Sequence, residues 1–480
     1  MKKLLTDTTP SRAARYDSEE GCEHFPEMRA RLRETANRIL EGDIRIEYTD
    51  HQRLLGIETE TSCIGVNGET FTQAKRDQLV QARSGRDYEL GAHQIELQMN
   101  PFDIQNPEGF EGLWEEMQAE DAHLTRDLAQ MSAVQVRLGA DPARFLDESI
   151  RTQGVARYHI VPNFHERFRR KDWHGLWSTH PYVVGALSSV QFNLDCHSIE
   201  EAIDLLNRSF VTNAYVVAMS ANARYLNGEH TGYADVRGVV WERTHDLRNK
   251  EEERGKLGGR IGLPSNYYTS LFDYFLDVHD QPTILPREVF EGEKGAEPFN
   301  VGTRLLWRDT RLKFLPTNAD GSERKIVLEF RPMSVQPTAF GDYAMVLFGL
   351  GHLFGSYIQQ TPLMPFETMR ANRDMAMLNG MSTNLWYHDG SGLTIDSATQ
   401  ALKRESEVAI AGLTFLGCPL SLVNLATEEW NTRLRDGSPS EVMTRKAMTY
   451  IGKNYPNAKV DHELLRMYLE NGHSFDRGAT

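Results

Sequence analysis

Cysteine is scarce: Cys22, Cys63, Cys196 and Cys418 are the only four in 480 residues, and no two stand in a Cys-x-x-Cys spacing. That excludes a disulfide-stapled scaffold and a thiolate zinc site, and it fits a reducing compartment. A surplus of positive charge is also missing, since 53 Lys and Arg stand against 68 Asp and Glu for a net charge of −15. Nonspecific nucleic-acid binding needs the opposite balance, so no nucleic-acid partner is expected. The local basic run Arg167-Phe168-Arg169-Arg170-Lys171 reads as a solvated face. No run approaches the roughly eighteen apolar residues of a membrane span. The stretch Met1-Lys2-Lys3-Leu4-Leu5-Thr6-Asp7 meets an acid with no apolar signal core behind it. The expectation is a cytoplasmic protein with no membrane partner.

Several catalytic signatures are absent as well. There is no Gly-x4-Gly-Lys-Ser/Thr phosphate loop and no Gly-x-Ser-x-Gly elbow, and His165-Glu166 is not continued by a histidine at the zinc-protease spacing. The run Gly258-Gly259-Arg260-Ile261-Gly262 lacks the strand-before, helix-after context of a dinucleotide fingerprint and reads as a flexible loop. Cys63 and Cys196 have no persuasive local histidine partner for a nucleophile, and a lone cysteine in an apolar strand reads as core. No activated protein nucleophile emerges.

What is present divides into three zones. Residues 1–50 carry Met28, Leu32, Ala36, Ile39 and Leu40 at helical spacing, an amphipathic extension. Residues 51–365 mix short strands with long helices, among them Glu111 to Met131 and Ile199 to Ala221, the latter entered through Ser198 and Glu201 in capping-box spacing. Residues 366–480 read as mostly helical, with Thr394 to Leu416 and Pro439 to Tyr450 patterned at i, i+3 and i+4 and a Gly-rich loop at Asp389-Gly390-Ser391-Gly392. Strands separated by long excursions suit an α+β fold whose antiparallel sheet is covered on one face by helices. Symmetric self-association is common at this size, and a homo-oligomer is compatible with it.

The chemistry-bearing residues lie on candidate strands. In Ser189–Asp195, Gln191, Asn193 and Asp195 alternate with Val190, Phe192 and Leu194, giving one polar and one apolar face. Glu58 and Glu60 alternate within His51–Val66, and Glu89 and Glu96 follow in a second acidic stretch. Acids converging from two strands repel unless cations sit between them, and carboxylates with amide oxygens are the donor set of hard ions such as Mg²⁺. The bland alternative is an edge strand with its acids in water. Thr310-Arg311-Leu312-Lys313-Phe314 and Ile326-Val327-Leu328-Glu329-Phe330-Arg331 read as two strands around an Asn318/Gly321 turn. Arg237, near Trp241, offers a planar fork for a carboxylate or phosphate.

Taken in order, these motifs resemble the glutamate-cysteine ligase family, most nearly its plant-type branch and the related carboxylate-amine ligases. The resemblance rests on Gly56 to Glu60, Glu89 to Leu97, Gln191 to Asp195, Ala221-Asn222-Ala223, the Arg237, Trp241, Thr244, Asp246, Arg248 run, and Leu328 to Arg331. It covers residues 51 to roughly 360. It implies a fold shared with glutamine synthetase and the guanidino kinases, an antiparallel sheet forming a funnel that holds ATP and Mg²⁺. It also implies amide formation through an acyl phosphate, with the glutamate γ-carboxyl group as the expected donor and an amino acid or other amine as acceptor.

By the same resemblance, Glu58, Glu60, Glu89, Glu96, Gln191, Asn193 and Glu329 would be metal ligands or their supports. Gln191, Asn193, Arg311 and Trp241 would face the nucleotide, Arg237 would clamp a substrate carboxylate, and Arg331 would stabilise the transferring phosphoryl group. Two departures stand out: Ser334 replaces the family's acid past the Glu-x-Arg strand, and no histidine occurs in Gly302 to Trp307. They leave open an acceptor other than cysteine, or a non-catalytic binding or regulatory protein that keeps the ligase fold. A guanidino kinase is a third reading.

Overall fold

The computed structural model describes residues 2–48, 51–66, 68–142, 150–155, 157–169, 181–227, 229–282 and 297–451. Its centre is a curled sheet of nine strands among these residues, in a mixed α/β arrangement. In chain order the strands are β1 (Arg45–Ile46), β2 (Leu54–Gly65), β3 (Arg86–Tyr88), β4 (Gln94–Gln98), β5 (Phe102–Asp103), β6 (Ala133–Val136), β7 (Ser189–Asp195), β8 (Thr310–Pro316) and β9 (Glu323–Ser334). The spatial order is β1-β9-β7-β2-β4-β3, with β8 on β9 and with β5 and β6 on β2. Every pair is antiparallel except β1 with β9.

Alternation along the central strands explains why the sheet has two unlike faces. Val190, Phe192 and Leu194 are fully buried, and Phe192 stacks on Phe330 of β9 with ring centroids 5.0 Å apart. Helix α3 (Ile199–Ser220) and helix α5 (Ala339–Ile358) cover this apolar face. Helix α4 (Arg237–His245), which falls between them in the chain, brings Arg237 and Trp241 to the cavity on the other face. Gly349 of α5 rides on the two rings, where an added Cβ would lie 3.3 Å from Phe192 and 3.4 Å from Phe330. Burying each such side chain contributes about 1.5–3 kcal/mol. The intervening residues Gln191, Asn193 and Glu329 are thereby turned to the opposite side.

The local readings hold in most places. Helix α1 runs over Phe25–Glu41, α2 over Pro107–Gln130, and α3 starts at Ser198, whose hydroxyl accepts from the Glu201 amide at 2.9 Å. β8 and β9 form the hairpin around Asn318 and Gly321, with Gly321 at φ 69°. Two readings need correction. Thr394–Ser397 is not helix: Leu393–Ser397 pairs with Asn384–His388, and Asp389-Gly390-Ser391-Gly392 is the hairpin tip. The helix α7 (Ala398–Phe415) begins only where Ser397 caps it, since its hydroxyl accepts from the Gln400 amide at 3.4 Å. The run Gly258–Gly262 is no free loop either. Ile261–Gly262 pairs with Trp307–Arg308, and the buried Arg308 guanidinium pins the Gly259 carbonyl at 2.7 Å.

Of the Arg167–Lys171 run, Arg170 and Lys171 lie outside the described residues, as does the segment 452–480. All four cysteines are buried and free, and burial pushes the Cys63 thiol up to about 12. No helix among the described residues is long and apolar enough to cross a membrane.

Helix α7 meets α5 at a crossing built on glycine. A Cβ on Gly412 would stand 1.9 Å from the Gly351 carbonyl oxygen, and one on Gly355 would stand 1.9 Å from that of Val408. Propensity alone would make Gly355→Ala stabilising by about 1 kcal/mol. Overpacking against backbone outweighs that, so Gly355→Ala should destabilise by about 1–3 kcal/mol in urea unfolding. A higher midpoint in the variant would contradict this crossing.

Candidate active site

All eleven site residues expected from the sequence line one cavity of about 620 Å³ on the polar side of the sheet. Register explains the convergence. Arg311, Glu329, Asn193 and Gly56 form one row across β8, β9, β7 and β2. Gln191, Glu58 and Gln98 form the next, and Glu60, Glu96 and Asp87 a third, across β2, β4 and β3. Glu89 follows β3 directly. Charge is therefore segregated, with acids on the β2-β4-β3 side and cations on the β8-β9 side.

On the acidic side, the amides of β7 act as supports. Gln191 Nε2 donates to Glu60 Oε1 at 2.8 Å, and Asn193 Nδ2 donates to Glu58 Oε1 at 3.0 Å. The Ser189 amide donates to the second oxygen of Glu60 at 2.8 Å. Burial raises the Glu96 carboxyl well above the usual range, and repulsion from Glu58, Glu89 and Glu60 adds to it. Burial also raises Glu60, against the opposing pull of Arg237 and Arg331. Burial and mutual repulsion thus oppose full ionisation of the acid cluster, most of all at Glu96.

The cationic side is organised by Glu329. Its carboxylate accepts from Arg311, from Lys313 at 2.5 Å and from Arg331 at 3.0 Å. Burial alone would raise this carboxyl, yet Arg311, Lys313 and Arg331 together hold it well below the usual range. Glu329 differs in this from the other acids, because its oxygens are occupied by cations. Arg311 is likewise engaged, donating to Glu329 and to the carbonyls of Arg304 and Leu306. Lys313 bridges the walls, with Nζ 2.9 Å from Asn193 Oδ1 and 4.0 Å from Glu58.

Arg331 is placed by an irregularity in β9. The register with β7 shifts between Phe330 and Met333, where Pro332 has no N–H to offer the ladder. The Arg331 amide instead donates to the Asp309 carbonyl at 2.8 Å, and Arg237 Nη2 donates to the Arg331 carbonyl at 2.5 Å. Arg237 opens α4 and its Nε is buried without a partner. Trp241, one turn on, packs against Trp307 with centroids 5.1 Å apart, and both line the cavity. Ser334 donates to the buried Asp235 carboxylate at 2.6 Å.

Sequence reasoning missed Asp87, Lys313, Lys325 and Trp307 as lining residues. Lys313 had a readable signal, since it shares a strand face with Arg311 two positions away. Asp87 had none until its register opposite Glu96 was known. Arg373, on helix α6 (Phe366–Asn379), was also missed: its guanidinium holds Asp309 and lies 2.8 Å from Glu242.

Among the described residues, no group of three or more His, Cys, Asp or Glu is gathered so as to hold a metal ion unaided. The donor set still fits Mg²⁺, which is commonly held by one or two carboxylates together with substrate phosphates and water. Gln191 Oε1, buried among the acids with no hydrogen-bond partner, is an oxygen of the required kind.

Comparison with known proteins bears on what such a cavity serves. Comparison with curated protein sequences gives no match. Among solved structures, the chain is similar to a glutamate-cysteine ligase from Francisella tularensis in complex with AMP. The identity is 13% and the TM-score 0.53, covering 90% of this chain and 91% of that one. It is also similar to a bifunctional glutathione synthetase from Pasteurella multocida, at 12% identity and a TM-score of 0.52, covering 88% of this chain. Of that synthetase the chain spans about half, 52%. At such identities the likeness is one of fold. Residues 54–406 match the model of glutamate-cysteine ligase family 2 (GCS2), and the chain belongs to that family.

Proposed function

We propose that the protein is an ATP- and Mg²⁺-dependent carboxylate-amine ligase that joins the γ-carboxyl group of glutamate to an amine through an acyl phosphate. The observation that carries this reading is one cavity in which an acid wall, Glu58, Glu60, Glu89 and Glu96, faces a cation wall, Arg237, Arg311, Lys313 and Arg331. A triphosphate with its cation is the ligand whose charge pattern matches both walls. In this reading the sheet is the funnel of the glutamine synthetase and guanidino kinase fold. Residues 51–365 carry the chemistry, residues 1–50 form an extension, and the part from 366 onward contributes Arg373.

In the proposed reaction a carboxylate oxygen of the first substrate attacks the γ-phosphorus of ATP, and ADP leaves with the electrons of the broken P–O bond. The amine nitrogen then attacks the acyl carbon, phosphate departs, and the nitrogen loses a proton. Mg²⁺, held by Glu58, Glu60, Glu89 and Glu96 with Gln191 in reach, would offset phosphate charge. Asn193 and Gln191 orient Glu58 and Glu60 by their amide N–H groups, as supporting residues do. Arg331 and Lys313, fixed by Glu329, stabilise charge on the transferring phosphoryl group. The partnerless Arg237 Nε is free for one oxygen of a substrate carboxylate. Trp241 and Trp307 exclude water from the acyl phosphate.

The direct test incubates the protein with ATP, Mg²⁺, glutamate and a mixed amine pool and weighs the products by mass spectrometry. A γ-glutamyl amide with stoichiometric phosphate is expected. Phosphate release with no amide, or none with any pair, would overturn the reading and leave a binding protein or a kinase. Glu58→Ala and Arg237→Lys should each lower kcat/KM by roughly a hundredfold or more while the variants stay folded, because an ammonium cannot reproduce a forked contact. Unchanged kinetics would remove either residue from the site.

A stability test follows from Glu96. Its folded pKa lies above its ordinary value of 4.5. Above that pH the unfolded chain releases a proton the folded one retains, so stability falls as pH rises toward the folded pKa. Without added metal, Glu96→Gln should flatten the decline of the thermal midpoint between mildly acidic and neutral pH. Parallel curves for the two proteins would contradict the raised pKa.

A further inference from the structure

A second cavity, of about 390 Å³, lies on the other side of α3 from the active-site end. Helical geometry keeps the two apart. Asn213 and Val217 of α3 line the space next to Arg237 and Arg331, whereas Val211 and Tyr215, two residues away and about 200° around the helix, line the second cavity. Its size falls within the range of small-molecule pockets.

The lining has a definite chemistry. Val211, Leu363, Met364 and Val408 form an apolar part. Arg404 supplies positive charge, Arg208 is held by Asp204 at 3.1 Å and by the carbonyls of Ser356 and Thr361, and Glu405 is the one acid among the described lining residues. Glu405 is already engaged, since its carboxylate meets His352 Nε2 at 2.7 Å, and the other ring nitrogen of His352 lies 2.8 Å from the Thr212 hydroxyl. Among the described residues Arg404 is paired with Glu407, about half exposed on each side, which contributes little and yields readily to another anion. His388 Nε2 is buried with no hydrogen-bond partner. At the hairpin tip, a Cβ on Gly392 would meet nothing within 4 Å, so no packing demands glycine there and the mouth stays open.

A cavity with an apolar part, a half-exposed arginine in a weak pair and one orphan imidazole nitrogen suits an anion with a short hydrocarbon body. We propose that this cavity is a second small-molecule site, which takes a carboxylic acid with a compact branched apolar chain. The carboxylate would be met by Arg404 and His388, and the hydrocarbon by Val211, Met364 and Val408. This proposal does not rest on the ligase reading, because the site shares no side chain with the acid or cation walls.

The test is isothermal titration of the full chain with 4-methylpentanoate, and with 4-methylpentanamide as its uncharged counterpart. Saturable one-to-one binding of the acid is expected, with the amide weaker by roughly tenfold or more, as loss of a charged hydrogen bond implies. Arg404→Gln, a surface change, should weaken the acid by a similar factor. Gly392→Phe, placed where space is open, should block the mouth. Glu58→Ala should leave binding intact. No saturable binding at millimolar probe, equal affinity for acid and amide, or binding lost in Glu58→Ala but kept in Arg404→Gln would overturn the proposal.

Discussion

Glu329 is the constraint on which the cavity depends. Three cations, Arg311, Lys313 and Arg331, come from two neighbouring strands, and without a shared carboxylate they would face one another at close range. The carboxylate is 1% exposed, so its desolvation is large, and only multiple close partners make ionisation favourable there. Removing one partner of a buried pair of this kind typically costs about 3–5 kcal/mol. The cluster therefore fixes the direction of each cation before any ligand arrives, which is the preorganisation that phosphoryl transfer relies on.

The opposite wall is built on the reverse principle. Glu58 and Glu60 are steadied by the amides of Asn193 and Gln191, and burial together with repulsion from Glu58, Glu89 and Glu60 raises the Glu96 pKa. A ligand that brings positive charge to the acids relieves their repulsion, and three cations sharing one carboxylate leave net positive charge for its negative part. The apolar side of the same strands, Phe192 against Phe330 under Gly349, supplies the rigidity that keeps these unequal walls in register.

Much of this was readable from residue order. Alternation in Ser189–Asp195 declared its two faces because one face is packed against helices, and a slip of one residue would exchange them. The Asn318/Gly321 turn fixed the β8-β9 pairing, and with it Glu329 beside Arg311. Asp87 and Glu96 lie in one row only through strand register, and Arg373 reaches Asp309 from a helix more than sixty residues later in the chain, so neither contact left a local trace. The Leu393–Ser397 strand was misread because its pattern runs straight into α7, and only the Ser397 cap marks the boundary. The short pairing of Ile261–Gly262 depends on Arg308, whose partner carbonyl no periodicity reveals.

The central claim is that segregated charge makes the cavity selective for a triphosphate only in company with a divalent cation. Titration calorimetry of ATP against the protein, with Mg²⁺ and then with a chelator, measures this directly. The account predicts tight, saturable ATP binding with Mg²⁺ and a loss of roughly a hundredfold or more in affinity without it, since uncompensated phosphate would then confront the four glutamates. Equal affinity under both conditions would contradict it.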